Sequence, residues 1–167
     1  MKKHKNFWEI TEDSLDHTME KFKIKKEMRN ELLNLYKELS PYPEVKKCLE
    51  GLKSKKIKIA ILSNGTPDLL KGLVESNNIQ NYFDDIMSIE TVKIYKPDPK
   101  VYEMPIKKYG CKPENICFMS SNTWDVSGGG VFGYNAVWVN RFNKIFDKLS
   151  YRPRFVINNL NELPEIV

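Results

Sequence analysis

The sequence predicts an α/β fold, a mostly parallel sheet with helices on both faces, preceded by a helical segment. Three observations predict it. From residue 44 onward, short apolar runs of strand length alternate with amphipathic runs of helix length. Three polar turns punctuate this alternation: Ser63-Asn64-Gly65, Lys96-Pro97-Asp98 and Ser120-Ser121-Asn122-Thr123-Trp124-Asp125. Strand ends of this kind are where open α/β sheets place ligand chemistry. Residues 6–39, by contrast, carry Leu15, Met19, Phe22, Met28, Leu32, Leu33, Leu35, Tyr36 and Leu39 close to a 3.6 period.

In chain order, residues 6–39 read as helical. Thr11 with Glu12, Asp13 and Ser14 offers N-capping chemistry and early negative charge. Ser40-Pro41-Tyr42-Pro43 breaks the helix and divides the chain into residues 1–41 and 42–167. Glu44 to Lys53 reads as a helix with Val45, Cys48, Leu49 and Leu52 inward. Ile57 to Leu62 reads as a strand whose near-continuous apolar character predicts burial on both faces. A helix from Pro67 to Ser76 and a short strand from Asp85 to Ser88 follow. Then come a helix from Pro99 to Tyr109, a buried strand from Ile116 to Met119 and a short helix from Asp125 to Phe132. Strands from Ala136 to Asn140 and Phe155 to Ile157 complete the alternation. Two features oppose it. Pro105 interrupts a helix at a cost of about 3 kcal/mol. Gly128-Gly129-Gly130 fills a short helix at up to about 1 kcal/mol per glycine. Each is either harmless in its local setting or the mark of a gene under relaxed constraint.

Composition narrows the function. With 167 residues and 41% apolar content, the chain is long enough for one domain, or one domain with a small satellite. Its formal charge of +5 comes from lysines spread along the whole chain, a solvated surface and not a nucleic-acid footprint. The three cysteines, Cys48, Cys111 and Cys117, have no C-x-x-C spacing and read as thiols of a reducing compartment. No apolar stretch approaches membrane-spanning length, and the basic N-terminus leads into Phe7-Trp8-Glu9, a poor signal peptide. A soluble cytoplasmic protein is expected. Both histidines, His4 and His17, precede residue 18, which argues against a histidine base or metal cluster.

Each polar turn carries two readings. Ser63-Asn64-Gly65-Thr66 opens a helix and suits an anion, yet such turns are often Ser/Asn/Gly-rich for conformational reasons alone. Lys96 precedes Pro97-Asp98-Pro99, where Asp98 and Pro99 suit an N-cap and first helical position. It is a solvated lysine if it stands alone, or a cation that neutralises a carboxylate if the turns converge. Asp125 is either a helix cap or a group that orients a water and accepts its proton. Trp124 is either core or one wall of a ligand pocket.

Taken together, Leu62-Ser63-Asn64-Gly65, Tyr95-Lys96-Pro97-Asp98 with Tyr102, and Ser120-Ser121-Asn122-Thr123-Trp124-Asp125 resemble the haloacid dehalogenase superfamily. The resemblance is to its L-2-haloacid, or (S)-2-haloacid, dehalogenases. It extends to Asn6-Phe7, Thr11-Glu12-Asp13 and Val139-Asn140-Arg141, and so covers essentially the whole chain. Superfamily phosphatases place an acidic pair where this chain has Ser120, Ser121 and Asn122, and hold Mg²⁺ there. One carboxylate, Asp125, is poor for Mg²⁺ but adequate for handling water.

The resemblance implies a Rossmann-like core over residues 42–167 and a partial helical cap over 1–41. It implies a hydrolase of short (S)-2-haloacids that needs no metal and no cofactor. An aspartate attacks C2, halide leaves with the bonding pair, and water hydrolyses the ester, giving the (R)-2-hydroxyacid. By the same resemblance, Ser63 and Asn64 hold the substrate carboxylate, and Lys96 stabilises the nucleophile's charge. Asn122, Trp124 and Phe7 line the halide side. Ser120 and Tyr102 fix the nucleophile and Lys96, and Asp125 sits close to the hydrolytic water.

The family's nucleophile lies in an apolar strand followed by D-x-x-G-T, and this pattern does not occur in the sequence, nor does the family's early cap arginine. The expectation is therefore a core that lacks its first, central strand. The neighbouring strands then expose backbone groups at about 1–3 kcal/mol for each one buried unpaired. The expected partners are a small 2-haloacid or other short carboxylate, and either an N-terminal fragment carrying the nucleophile or a second copy of the chain. Without a partner the chain is expected to be inactive. The rival readings are a non-catalytic remnant that binds small carboxylates and a superfamily phosphatase.

Overall fold

The structure, a computed structural model, describes residues 3–167. The chain forms two compact units. One comprises the residues up to Pro41 together with Ala60–Lys93, the other Tyr42–Ile59 together with Ile94–Val167.

The first unit begins with helix α1, Phe7–Lys21. Its cap is Asn6, whose side chain accepts from the Glu9 N–H at 2.9 Å. Glu9 returns the contact by accepting from the Asn6 N–H at 2.8 Å. This capping box satisfies two backbone donors reciprocally. The expected cap at Thr11 is thereby corrected. Thr11 lies a full turn inside α1, is buried, and donates its hydroxyl to the Phe7 carbonyl at 2.8 Å. Nor is the segment one continuous helix. Lys23 takes a left-handed conformation at φ 54°, and a 3-10 turn, Lys26–Met28, leads into α2, Arg29–Leu35. A bidentate pair ties the two helices, with Arg29 Nε at 2.5 Å and Nη2 at 3.0 Å from the Asp16 carboxylate.

Strand β1, Ala60–Ser63, pairs in parallel with β2, Asp85–Ser88, in the register Ala60 to Asp85 through Ser63 to Ser88. Helix α4, Pro67–Ser76, makes the crossover and starts with proline at its first position, where no N–H is needed.

The second unit holds α3, Val45–Ser54, and α5, Pro99–Tyr109. Its sheet has the order β3-β4-β5, Cys117–Ser120, Asn135–Val139 and Phe155–Ile157, all parallel. Helix α6, Thr123–Phe132, links β3 to β4. Central β4 supplies the core, with Ala136, Val137, Trp138 and Val139 all buried. Val126, Ala136 and Trp138 form a cluster against which Phe146 and Tyr151 pack. Helix α3 packs against the C-terminal 3-10 segment Leu160–Glu165, and Lys55 Nζ donates to the Pro164 carbonyl at 2.6 Å.

The predicted α/β architecture with parallel strands is present, carried by two separate ladders among the described residues. The burial expected of two strands is not. Ala60 is exposed, Ile61 and Leu62 are only partly buried, and Met119 is exposed beside buried Phe118. β1 and β3 each have one hydrogen-bonded neighbour among the described residues, so apolar composition alone does not close both sides. The two opposing features also resolve. Pro105 is buried within α5, which runs on to Tyr109 and ends on Gly110 at φ 60°. The three glycines of α6 answer to packing. A Cβ on Gly129 would stand 2.6 Å from the Phe118 ring, and one on Gly130 would enter the Tyr151 ring. A helix lying this close to its neighbours has room only for glycine there, which accounts for the triplet locally.

Candidate active site

Strand β3 ends at Ser120, and Asn122 caps α6 with an extended backbone. The connecting turn is held from two sides. The Ser120 hydroxyl accepts from the Asn122 N–H at 3.2 Å, and Trp138 Nε1 donates to the Ser121 carbonyl at 3.2 Å. Asp125 therefore enters in the first turn of α6, where the helix dipole favours a carboxylate. It is buried, and the cap position belongs to Asn122, not to Asp125.

Both carboxylate oxygens of Asp125 are engaged. Lys96 Nζ donates to Oδ2 at 3.1 Å, with both side chains only 7% exposed. The Tyr102 hydroxyl donates to Oδ1 at 2.8 Å. Lys96 arrives from the segment before α5, whose N-cap is Asp98, accepting from the Lys100 N–H at 2.9 Å. Tyr102 comes from the first turn and a half of the same helix. One helix start thus delivers a cation and a neutral donor to one carboxylate on another.

The surroundings are aromatic. Lys96 Nζ lies 4.9 Å from the Phe118 ring centroid, a cation–π contact in a desolvated setting. Tyr102 is fully buried, with Phe118, Phe132 and Tyr134 ring centroids at 5.7, 5.9 and 6.0 Å. The Tyr134 hydroxyl donates to the Tyr102 backbone carbonyl. Burial pushes the Lys96 ammonium below its usual range, and the Asp125 carboxylate opposes that shift. Burial also raises the Tyr102 phenol, reinforced by Asp125, so this hydroxyl stays a donor at any physiological pH. A cation of weakened hold on its proton, a buried carboxylate and a permanent donor form a site able to handle a proton or a water molecule.

Of the sequence-predicted residues, Lys96, Tyr102, Ser120, Asn122, Trp124 and Asp125 all lie in this second unit. Lys96, Tyr102 and Asp125 touch directly. Ser120 and Asn122 shape the turn, and Trp124 is 41% exposed. Phe7, Ser63 and Asn64 belong to the first unit. There Gly65 donates its N–H to the Ser63 hydroxyl at 3.1 Å, and buried Ser88 donates to the Gly65 carbonyl at 2.6 Å. The Ser63 turn is thus braced by the paired strand end. The same unit carries an open cleft of about 630 Å³ lined by Asn6, Trp8, Lys37, Thr66 and Asp68 among others. Sequence reasoning missed Phe118 and Tyr134, which pack against Lys96 and Tyr102. Phe118 stands next to the motif it serves, and that adjacency is the signal that could have found it. Among the described residues no three His, Cys, Asp or Glu side chains gather so as to hold a metal ion.

Comparison with known proteins bears on this geometry. Residues 2–139 match the model of the haloacid dehalogenase-like hydrolase family. (S)-2-haloacid dehalogenase 1 of Pseudomonas sp. (strain CBS-3) is 38% identical over 170 residues, covering 100% of this chain and 74% of that protein. A dehalogenase crystal structure superposes with a TM-score of 0.95 at 33% identity, covering 98% of this chain and 74% of the other. The L-2-haloacid dehalogenase from Xanthobacter autotrophicus, solved with chloropropionic acid covalently bound, gives 0.90 at 27% identity, covering 98% and 76%. With a family model spanning most of its length and dehalogenases matching it end to end, this chain belongs to the haloacid dehalogenase-like hydrolases.

Proposed function

We propose that this chain carries the charge- and water-handling part of a site for short (S)-2-haloacids, converting them to (R)-2-hydroxyacids and halide. The observation that carries the reading is the buried Lys96–Asp125–Tyr102 cluster at the start of α6. An aspartate carboxylate attacks C2, and the carbon–halogen bond breaks with its electron pair leaving as halide. Water then adds to the resulting ester carbonyl, and the hydroxyacid departs with C2 inverted. The chloropropionic acid covalently bound in the Xanthobacter relative supports a covalent step of this kind.

In this reading Asp125 sits by the incoming water, while Tyr102 and Lys96 fix its two oxygens. Lys96 also balances the negative charge of the attacking carboxylate. Ser63 and Asn64 take the substrate carboxylate. Phe7, Asn122 and Trp124 face the halide, and Ser120 holds the turn. The sequence contains no apolar segment followed by D-x-x-G-T. The attacking aspartate is then the part of the site for which a separate N-terminal fragment is the proposed partner. Residues 1–41 act as part of a helical cap and 42–167 as the core. The protein works in the cytoplasm on small carboxylates, partnered by an N-terminal fragment carrying the nucleophile or by a second copy of the chain, with neither nucleic acid nor membrane as partner. Among the described residues no helix is long and apolar enough to cross a membrane.

The test is halide release from (S)-2-chloropropionate, with and without a segment bearing the D-x-x-G-T pattern joined or added to the chain. Release that requires the segment and is lost in Lys96→Ala and Asp125→Asn supports the reading. Release indifferent to both substitutions overturns it. Carboxylate binding with no release under any condition favours a non-catalytic binding module, and Mg²⁺-dependent phosphate release favours a phosphatase.

A further inference from the structure

We propose that Gly128 is a positioning residue, whose missing side chain lets Tyr102 and Pro97 close on α6 and so seats Asp125 between Lys96 and the Tyr102 hydroxyl. The inference rests on reading that cluster as the working part of the site. Gly128 lies three residues after Asp125, one turn along the same helix face. A Cβ placed on it would stand 2.6 Å from the Tyr102 hydroxyl oxygen, 3.2 Å from Tyr102 Cζ and 2.9 Å from Pro97 Cβ.

Neither neighbour can yield. Tyr102 is fully buried and boxed in by the Phe118, Phe132 and Tyr134 rings. Its carbonyl is tied by the Tyr134 hydroxyl. Pro97 Cβ belongs to a closed pyrrolidine ring whose φ is fixed, and it follows Lys96 directly in sequence. A methyl group at 128 must therefore lift α6 away from both. Asp125 rides on that helix, so a displacement of a few tenths of an ångström lengthens both its contacts. Interiors packed this closely pass such strain on instead of absorbing it. Gly130 supplies the contrast. The three atoms nearest its Cβ would all belong to Tyr151, a partly exposed ring that makes none of the Asp125 contacts.

The test uses the full chain with ¹³C-labelled tyrosine ring carbons and lysine side chains, read by NMR alongside thermal melts. Gly128→Ala is expected to shift the Tyr102 and Lys96 resonances and to lower Tm. Gly130→Ala is expected to lower Tm while leaving those two resonances in place. Adding Tyr102→Phe to Gly128→Ala removes the closest atom, so the double variant should lose clearly less Tm than the two single losses summed, and strict additivity overturns the inference. The inference is overturned if Gly128→Ala leaves both resonances where they were, or if Gly130→Ala moves them as far. Should Gly128→Ala fail to fold, Gly128→Ala is made with both Tyr102→Phe and Pro97→Gly, which remove both obstacles, and a triple variant that fails where the Tyr102→Phe, Pro97→Gly pair folds overturns it. These readouts need no turnover, so a failed halide assay removes the catalytic reading and leaves the steric one to be judged on its own result.

Discussion

Lys96 reaches Asp125 across 3.1 Å with both side chains withdrawn from solvent. A lysine in a polar turn is ordinarily a solvated charge, and this one is not. Its ammonium loses hydration on burial, keeps one carboxylate oxygen at hydrogen-bond distance, and lies over the Phe118 ring.

Removing one member of such a pair strands the other. Lys96→Met should lower stability by about 3–5 kcal/mol, because Asp125 is left as a buried charge with a single donor. Asp125→Asn should cost less, since a neutral amide still accepts from Tyr102 and the stranded Lys96, already lowered by burial, can shed its proton. The double variant should then lose much less than the sum of the two. Urea unfolding of the four proteins measures the coupling, and strict additivity would show that the pair is not coupled.

Tyr102→Phe removes only the hydroxyl that donates to Asp125 Oδ1. Hydrogen bonds to charged groups contribute about 1.5–3 kcal/mol, and that range is the expected loss. The ring and its three aromatic neighbours stay in place, so near-ultraviolet circular dichroism should change little while the urea midpoint falls. A spectrum rebuilt across the aromatic region would mean that the hydroxyl also organises the rings.

Much of this arrangement was legible before any coordinates. Helices at Pro67–Ser76 and Pro99–Tyr109 read to the residue, because proline at the first position and Asp98 before it leave little choice. The polar turns around Lys96 and Asp125 stood out as chemistry amid apolar runs. Other features depend on contacts far apart in sequence. Asn6 and Glu9 formed a cap three residues apart, but Thr11-Glu12-Asp13-Ser14 offered a competing one, and only the chain's path decides between them. The aliphatic run Ile59–Leu62 carries no mark of how many strands flank it, so its partial exposure was invisible. The glycines of α6 looked costly because propensity counts the helix alone, whereas Phe118, Tyr102 and Tyr151 occupy the space their side chains would need.

A fourth glycine makes that last point testable in the opposite direction. Gly51 lies inside α3, and a Cβ there meets nothing within 4 Å. Its substitution by alanine should raise stability by up to about 1 kcal/mol, through helix propensity alone. Gly129→Ala, with a Cβ at 2.6 Å from the Phe118 ring, should lower it instead. Opposite signs from one change of residue at two helical glycines would confirm that packing, not propensity, governs α6. Matching signs in the melts would contradict this account.

Partial burial of the Cys117 thiol gives a pH signature whose sign is fixed. Its partial withdrawal from water disfavours thiolate and pushes this group up to about 11. The unfolded chain gives up the same proton at about 8.5, an ordinary cysteine value. Between those limits the folded state holds the proton more firmly, so the contribution to stability is present below that range and is lost as pH climbs through it. Lys96 acts in the reverse sense, because its lowered value makes the unfolded state the better proton binder and stability rises with pH there. The two slopes overlap in the wild-type protein, and Cys117→Ala separates them. Urea midpoints of wild type minus Cys117→Ala, taken from pH 8 to 11, should decline with rising pH, and iodoacetamide labelling of Cys117 in the folded protein should accelerate towards the upper end. A flat difference, or labelling at pH 8 as fast as in the unfolded chain, would mean that the thiol is hydrated and that β3 is more open at Cys117 than its packing implies.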